Sequence, residues 1–297
     1  MSGRWVPVLF GVVVLATVAG GAEPPAKKLL LIGIDGCRPD ALLKADAPNL
    51  HGLRSRGAYT EAAQTGDITV SGPGWSSMLT GVWRDKHGVR DNSFEGKNIA
   101  DYPSFLDRVK TAKPELRTAS FATWAPIHTH IVKSADVKLT NKTDVATAAA
   151  AVKELTEQNP DLVFVDFDDV DHAGHSHGFS PTVPEYLKTI ADTDAHVGAI
   201  LKAIRARKNF ANEDWLTLVT TDHGGRGKSH GANVPEIRTI FFIVNGPSVA
   251  PGEITSDVGV VDTAVTALTH LGVAVSPEWK LDGKSVGLTT AKVKPSR

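Results

Sequence analysis

Four stretches of the chain carry residues whose types and spacing suit catalysis. The densest is Asp168-Asp169-Val170-Asp171-His172-Ala173-Gly174-His175-Ser176-His177-Gly178, with three histidines and three carboxylates close together. So many ionisable groups at one point would repel or pay heavily for burial, and a bound cation makes the cluster favourable. Two D-x-x-x-H registers are present, Asp168 with His172 and Asp171 with His175, and spacing does not choose between them. The second stretch, WLTLVTTDHGGRGKSHG from Trp215 to Gly231, sets Asp222 beside His223 and places His230 seven residues on. Carboxylate oxygens and imidazole nitrogens are ligands for divalent ions. Adjacent ligands diverge at a strand end and the glycines let the loop fold back, so this one loop can serve two ions. The third is Asp35, which closes KLLLIGID. The fourth is Ser71 in TVSGPGWSSMLTG. Its hydroxyl reads either as a helix cap or as a nucleophile at a helix N-terminus, where backbone N–H groups favour an alkoxide and a phosphate.

Two other signals fail. Asp222 to Ser229 approaches the phosphate-loop pattern G-x-x-x-x-G-K-[ST], but Asp222 stands where the first Gly belongs. Gly231, Asn233 and Pro235 then oppose the helix that must follow. Cys37 has no evident basic partner and reads as a small packed residue.

Three of the four stretches close an apolar run. Lys28 to Asp35, Asp161 to Phe167 and Leu216 to Thr221 read as strands buried on both faces. Arg117 to Thr123 and Arg238 to Asn245 add two more. Helices are expected over Leu42 to Arg56, Gly74 to Thr80 with Ser71 just outside, Thr143 to Thr156, Pro184 to Arg207 and Asp262 to Leu271. Asp192 and Asp194 are expected on a solvated helix face, and Arg226 and Lys228 in a solvated loop. Strands alternating with helices predict an α/β fold, a three-layer αβα sandwich with a mostly parallel central sheet. Such sheets bind ligands beyond the carboxyl ends of their strands, where the Asp and His residues fall.

The 297 residues have globular composition and a net charge of −1, which gives no electrostatic footprint for a nucleic-acid polymer. Residues 1 to 22 combine Arg4, an apolar stretch from Val6 to Ala19 and small residues up to Ala22. That is the pattern of a secretory signal peptide, too short for a span of about 20 residues. The expectation is an exported protein with one domain over residues 23–297 and no membrane contact after cleavage. Its one cysteine excludes an internal disulfide.

Together the stretches resemble the alkaline phosphatase superfamily, and most closely its type I phosphodiesterase and nucleotide pyrophosphatase branch. Asp35-Gly36 matches the first metal Asp and its small neighbour. Ser71 to Gly81 has the spacing from nucleophile to a Thr-Gly helix end, and His87-Gly88 and Asp91-Asn92 match the motifs after it. Asp171, Gly174, His175 and Gly178 fit D-x-x-G-H-x-x-G, which selects the second register. Asp222-His223-Gly224 and His230-Gly231 complete the set.

The resemblance implies an alkaline phosphatase-like fold and a small-molecule phosphate ester as substrate. It implies two divalent ions, with zinc the best match to the donors. One would be held by Asp35, Asp222 and His223, the other by Asp171, His175 and His230. Ser71 would carry a covalent phosphoryl intermediate, and Asn92 with backbone N–H groups after Ser71 would hold phosphoryl oxygens. The branch usually has Thr as nucleophile, followed by Phe-Pro-Asn, where this chain has Ser71-Gly72-Pro73-Gly74. Monoester hydrolysis is therefore the alternative to diester or pyrophosphate hydrolysis. A sulfatase ranks lower, because Trp75 stands where the C/S-x-P-x-R pattern needs Arg. A non-catalytic exported metal-binding protein would keep the ligands without needing Ser71.

Overall fold

A computed structural model describes residues 1–3 and 24–289, so the expected signal peptide falls almost wholly outside the described residues. In chain order the elements are β1 (Ala26–Ile34), α1 (Pro39–Lys44), α2 (Pro48–Arg56), β2 (Ala58–Gln64), α3 (Ser71–Thr80), α4 (Arg84–His87), α5 (Phe105–Ala112) and β3 (Thr118–Ala122). A π-helical turn over Ile127–Ile131 precedes β4 (Val137–Thr140), α6 (Asp144–Glu157), β5 (Leu162–Phe167), α7 (Asp169–His177) and α8 (Pro184–Arg205). The chain continues with β6 (Glu213–Thr220), α9 (Pro235–Arg238), β7 (Thr239–Asn245), β8 (Gly252–Glu253) and α10 (Asp262–His270).

The strands form one sheet in the order β4-β3-β5-β1-β6-β7-β2-β8. Only β7 runs antiparallel to its neighbours. That one reversal matters for the site. The segment between β6 and β7 leaves and re-enters the sheet at the same edge, so the whole loop with His223 and His230 stays at the carboxyl ends of the parallel strands.

Period-two alternation explains the layers. Leu29, Leu31, Phe164, Leu216 and Leu218 face one core with Trp75, Met78, Phe105 and Leu268 from α3, α5 and α10. Leu30, Ile32, Val163, Val165 and Val219 face the other with Leu50, Ala151, Ile190, Val197 and Ile200 from α2, α6 and α8. Helices thus cover both faces of a mostly parallel sheet, as the sequence predicts.

Three expectations need correction. The helix expected over Leu42 to Arg56 is two helices, because Pro48 cannot donate a backbone hydrogen bond and restricts the residue before it. Helix α3 begins at Ser71 itself, with Val70 as cap residue. Asp194 is not solvated: it is 2% exposed and accepts from the backbone N–H of Asn49 and Leu50, so α8 caps the first turn of α2.

Candidate active site and metal centre

All six expected ligands and Ser71 meet at the carboxyl edge of the sheet. Asp35 follows β1 and Asp222-His223 follows β6, and those two strands are hydrogen-bonded neighbours. Asp171 and His175 lie on α7, which starts just after β5, the other neighbour of β1. The sequence places this segment at a strand end; the structure makes it a helix. Its i, i+4 spacing puts the carboxylate and the imidazole on one face. Asp144, buried at the start of α6, accepts from the N–H groups of Asp168 and Asp169 and so anchors the helix start.

The donor atoms fall into two triads. Those of Asp35, Asp222 and His223 lie within 4.8 Å of one another, and so do those of Asp171, His175 and His230. The triads adjoin: the His223 and His230 rings stack at 4.0 Å between centroids. A third set, Asp35, Asp168 and Asp171, shares two of these carboxylates. His172 reaches Asp168 at 3.5 Å, but its side chain is 69% exposed and it joins neither triad.

Hydrogen bonds at the far nitrogen orient each imidazole. The Nδ1 atoms of His223, His230 and His175 lie 2.8, 3.0 and 3.0 Å from the carbonyl oxygens of Gly224, Thr69 and Lys228. A carbonyl only accepts, so each Nδ1 carries the proton and each Nε2 presents a lone pair. Those lone pairs face carboxylate oxygens: His223 Nε2 is 3.4 Å from Asp35 Oδ1 and from Asp222 Oδ2, and His175 Nε2 is 3.3 Å from Asp171 Oδ2. His230 Nε2 is 3.7 Å from Asp171 Oδ1. Asp35 Oδ1, Asp171 Oδ1 and Asp222 Oδ2 are buried without any hydrogen-bond donor. Acceptor faces acceptor throughout when the carboxyls are ionised, an arrangement that a cation between them stabilises. The donor set therefore fits a pair of divalent ions.

Electrostatics agree. Burial pushes the Asp35 carboxyl up to about 6, against the pull of the Trp75 hydrogen bond. Burial, then the charges of Asp35 and Asp168, pushes Asp171 up to about 9. Asp222 is driven well above the carboxylate range by burial and by Asp35 and Asp171. Burial pulls His223 down to about 4 and His230 down to about 3. The protein alone thus resists ionised carboxylates at this spot, and bound cations reverse that logic.

Ser71 is 5% exposed, and its Oγ lies 3.3 Å from His223 Nε2, beside the first triad. Asn92 is exposed and its Oδ1 accepts from the Gly72 N–H at 2.7 Å, which leaves its Nδ2 as the donor. The backbone donors expected after Ser71 are mostly committed. Gly72 bonds Asn92, Pro73 has no N–H, and Gly74 bonds the Val70 carbonyl. That leaves Asn92 Nδ2 and the Ser71 N–H as the donors beside the serine.

Sequence reasoning missed Trp75 as a site residue. Its Nε1 donates to Asp35 Oδ2 at 2.8 Å, which ties the serine's helix to the ligand on β1. Gly33 makes this possible, since a Cβ there would lie 2.2 Å from the Trp75 ring. The i+4 spacing from Ser71 was the available signal. Gly36, at φ +66°, likewise lets Asp171 Oδ1 approach where a Cβ would sit 2.6 Å away. Arg226 and Lys228 are exposed, as expected.

The type I phosphodiesterase / nucleotide pyrophosphatase family matches residues 29–133 and 103–241, which together cover most of the chain. The chain belongs to that family. Among similar proteins, bovine (Bos taurus) bis(5'-adenosyl)-triphosphatase ENPP4 is 24% identical over 69% of this chain and 49% of its own length. Human (Homo sapiens) ectonucleotide pyrophosphatase/phosphodiesterase family member 5 is 25% identical over 68% and 46%. The chain thus spans about half the length of the curated relatives it matches. Murine ectonucleotide pyrophosphatase/phosphodiesterase 5, solved as an inactive variant in complex with AMP, superposes with a TM-score of 0.70 at 16% identity, over 84% of this chain and 96% of that one. The 2-O GAG sulfatase BT1596 gives 0.73 at 16% identity, over 89% and 73%. Both show the same fold, an alkaline phosphatase-like sandwich.

Proposed function

We propose that this protein is a metal-dependent hydrolase of small phosphate esters that acts on phosphodiester or pyrophosphate bonds through a phosphoserine at Ser71. The observation that carries the reading is the pairing of imidazole lone pairs with donorless buried carboxylate oxygens, in two triads, beside a buried serine hydroxyl. Membership in the family supports the reaction class. The relatives' names support a nucleotide-type substrate, including AMP in the murine neighbour.

Asp35, Asp222 and His223 would hold one divalent cation and Asp171, His175 and His230 the other. When bound, such ions, with zinc the best fit to His and Asp, supply positive charge to the reacting hydroxyl and to the phosphoryl oxygens. Ser71 gives its hydroxyl proton to solvent and its Oγ attacks phosphorus. The P–O bond to the leaving alcohol or phosphate breaks as the Ser71 ester forms, and the leaving oxygen ends protonated from solvent. Water then cleaves that ester and returns the hydroxyl. Asn92 Nδ2 and the Ser71 N–H at the start of α3 are the donors for phosphoryl oxygens. Trp75 holds Asp35 in place.

Ser71→Ala tests this directly. It is expected to abolish turnover of bis-(p-nitrophenyl) phosphate and leave metal content intact; turnover at the parent rate rules out the phosphoserine route. Comparison with p-nitrophenyl phosphate separates the two ester classes. Faster monoester hydrolysis would reverse the preference stated here. The sulfatase alternative shares the fold, but Trp75 stands where its pattern needs Arg and is bound to Asp35. The basic, apolar leader argues for export, and no helix among the described residues is long and apolar enough to cross a membrane.

A further inference from the structure

Beyond the metal centre, a cavity of about 150 Å³ is lined by residues 65–68 together with Pro73, Ser77, Trp83, Arg84 and Arg238. It lies on a different face of α3 from the nucleophile. Pro73 is turned by about 200° from Ser71 around the helix axis, and Ser77 stands one turn beyond Pro73.

Three of the groups lining this cavity have a hydrogen left to donate. Thr65 is 1% exposed, and its Oγ1 is buried with no hydrogen-bond partner. Arg238 gives Nη1 to Asn233 Oδ1 at 3.1 Å but leaves Nε buried and unpartnered. Ser77 adds a third donor by an indirect route. His87 Nδ1 accepts from the Val89 N–H at 3.1 Å, so its Nε2 carries the proton. That proton goes to Ser77 Oγ at 3.0 Å, which leaves the serine's own O–H free to donate. Arg84 is satisfied by a two-pronged pair with Asp67, at 2.7 and 2.8 Å. Two guanidinium groups against one carboxylate leave the lining with one excess positive charge. Ile68, Pro73 and Trp83 supply an apolar wall.

We infer that this cavity is a binding site for a small oxyanion, a carboxylate or a phosphate, separate from the metal centre. Arg238 Nε, Thr65 Oγ1 and Ser77 Oγ donate to the anion's oxygens, and Arg238 supplies the excess positive charge. The metal centre presents donorless acceptors, whereas this cavity has donors to spare beside an excess positive charge, and the ligands they take have opposite sign. The inference does not depend on the hydrolase reading.

The test is the melting temperature of the full, metal-loaded chain, titrated with sodium phosphate or sodium acetate against sodium chloride at matched ionic strength. A saturable rise above chloride is expected, since a ligand that binds only the folded state stabilises it. The rise should persist in Asp222→Asn, which disables the metal centre. It should vanish in Arg238→Met, and half-saturation should move to roughly tenfold higher concentration in Thr65→Val. A response to phosphate alone, or to acetate alone, identifies the anion. Should Arg238→Met not fold, the near-isosteric Thr65→Val carries the test. No rise above chloride overturns the inference, and so does a rise that survives Arg238→Met but disappears in Asp222→Asn.

Discussion

Trp75 shows how one side chain links two parts of the site. Its indole N–H is the donor to Asp35 Oδ2, while Asp35 Oδ1 is left without one. Partners that orient a ligand in this way are commonly worth 10- to 100-fold in metal affinity or activity. Trp75→Phe keeps a smaller aromatic ring and removes the N–H. Metal affinity in a competition assay with a chelator is expected to fall by about tenfold or more; unchanged affinity would make the contact a packing detail. His87 gives a prediction of a different kind. Burial pulls its imidazole down to about 4 from an ordinary 6.5. As pH falls below 6.5 the unfolded chain takes up the proton first, so stability present at neutral pH is lost down to about 4. The loss from this one group is of the order of 3 kcal/mol. Urea unfolding of His87→Gln should show a shallower decline across that window, and an identical decline would remove His87 as its source. The Asp and His clusters were legible in the sequence because such residues at the end of an apolar run have few other uses, but the choice of Asp171 with His175 over Asp168 with His172 came from the family resemblance and not from spacing. Trp75 and Asp194 were not, because their partners lie 40 and about 145 positions away and spacing cannot reveal them.

Helix α2 depends on α8 for its start. Pro48 has no N–H, and the next two N–H groups, of Asn49 and Leu50, both go to the Asp194 carboxylate. Asp194→Ala is therefore expected to cost about 1–3 kcal/mol of stability by denaturant unfolding. Turnover per folded molecule should be unchanged, because α2 lies away from the site; a loss of turnover matching the loss of the metal-ligand variants would contradict that separation. Among the elements, β1, β5, β6 and β7 were legible because burial on both faces leaves a continuous apolar run. β2, AYTEAAQ, was not: it neighbours the short edge strand β8 and carries no such run. α7 was missed for a different reason. Its histidines, glycine and aspartates are poor helix formers, and what holds its start is Asp144, a group from another helix.

At the scale of the whole molecule, the fold brings three neighbouring parallel strands, β5, β1 and β6, to one edge and aims their carboxyl ends at one point. The antiparallel β7 returns the long loop to that edge, which is how His230 joins a triad with residues of α7. The order of alternating strands and helices made this architecture readable, whereas the reversal at β7 leaves no trace in hydrophobic pattern. The site also couples to global stability. Ions that bind only the folded chain add RT ln(1 + [L]/Kd), about 4 kcal/mol at a thousandfold excess over Kd. Chelation should therefore lower the melting temperature, and added zinc should restore it; a melting temperature indifferent to chelator would mean that the buried carboxylates are simply protonated. The most direct measurement is metal content per chain by elemental mass spectrometry, in the parent protein and in Asp222→Asn and His230→Ala. Two divalent ions per chain are expected in the parent and a clear loss in each variant. A parent chain that purifies and reconstitutes without metal, or variants that retain the full complement, would contradict the two-ion site.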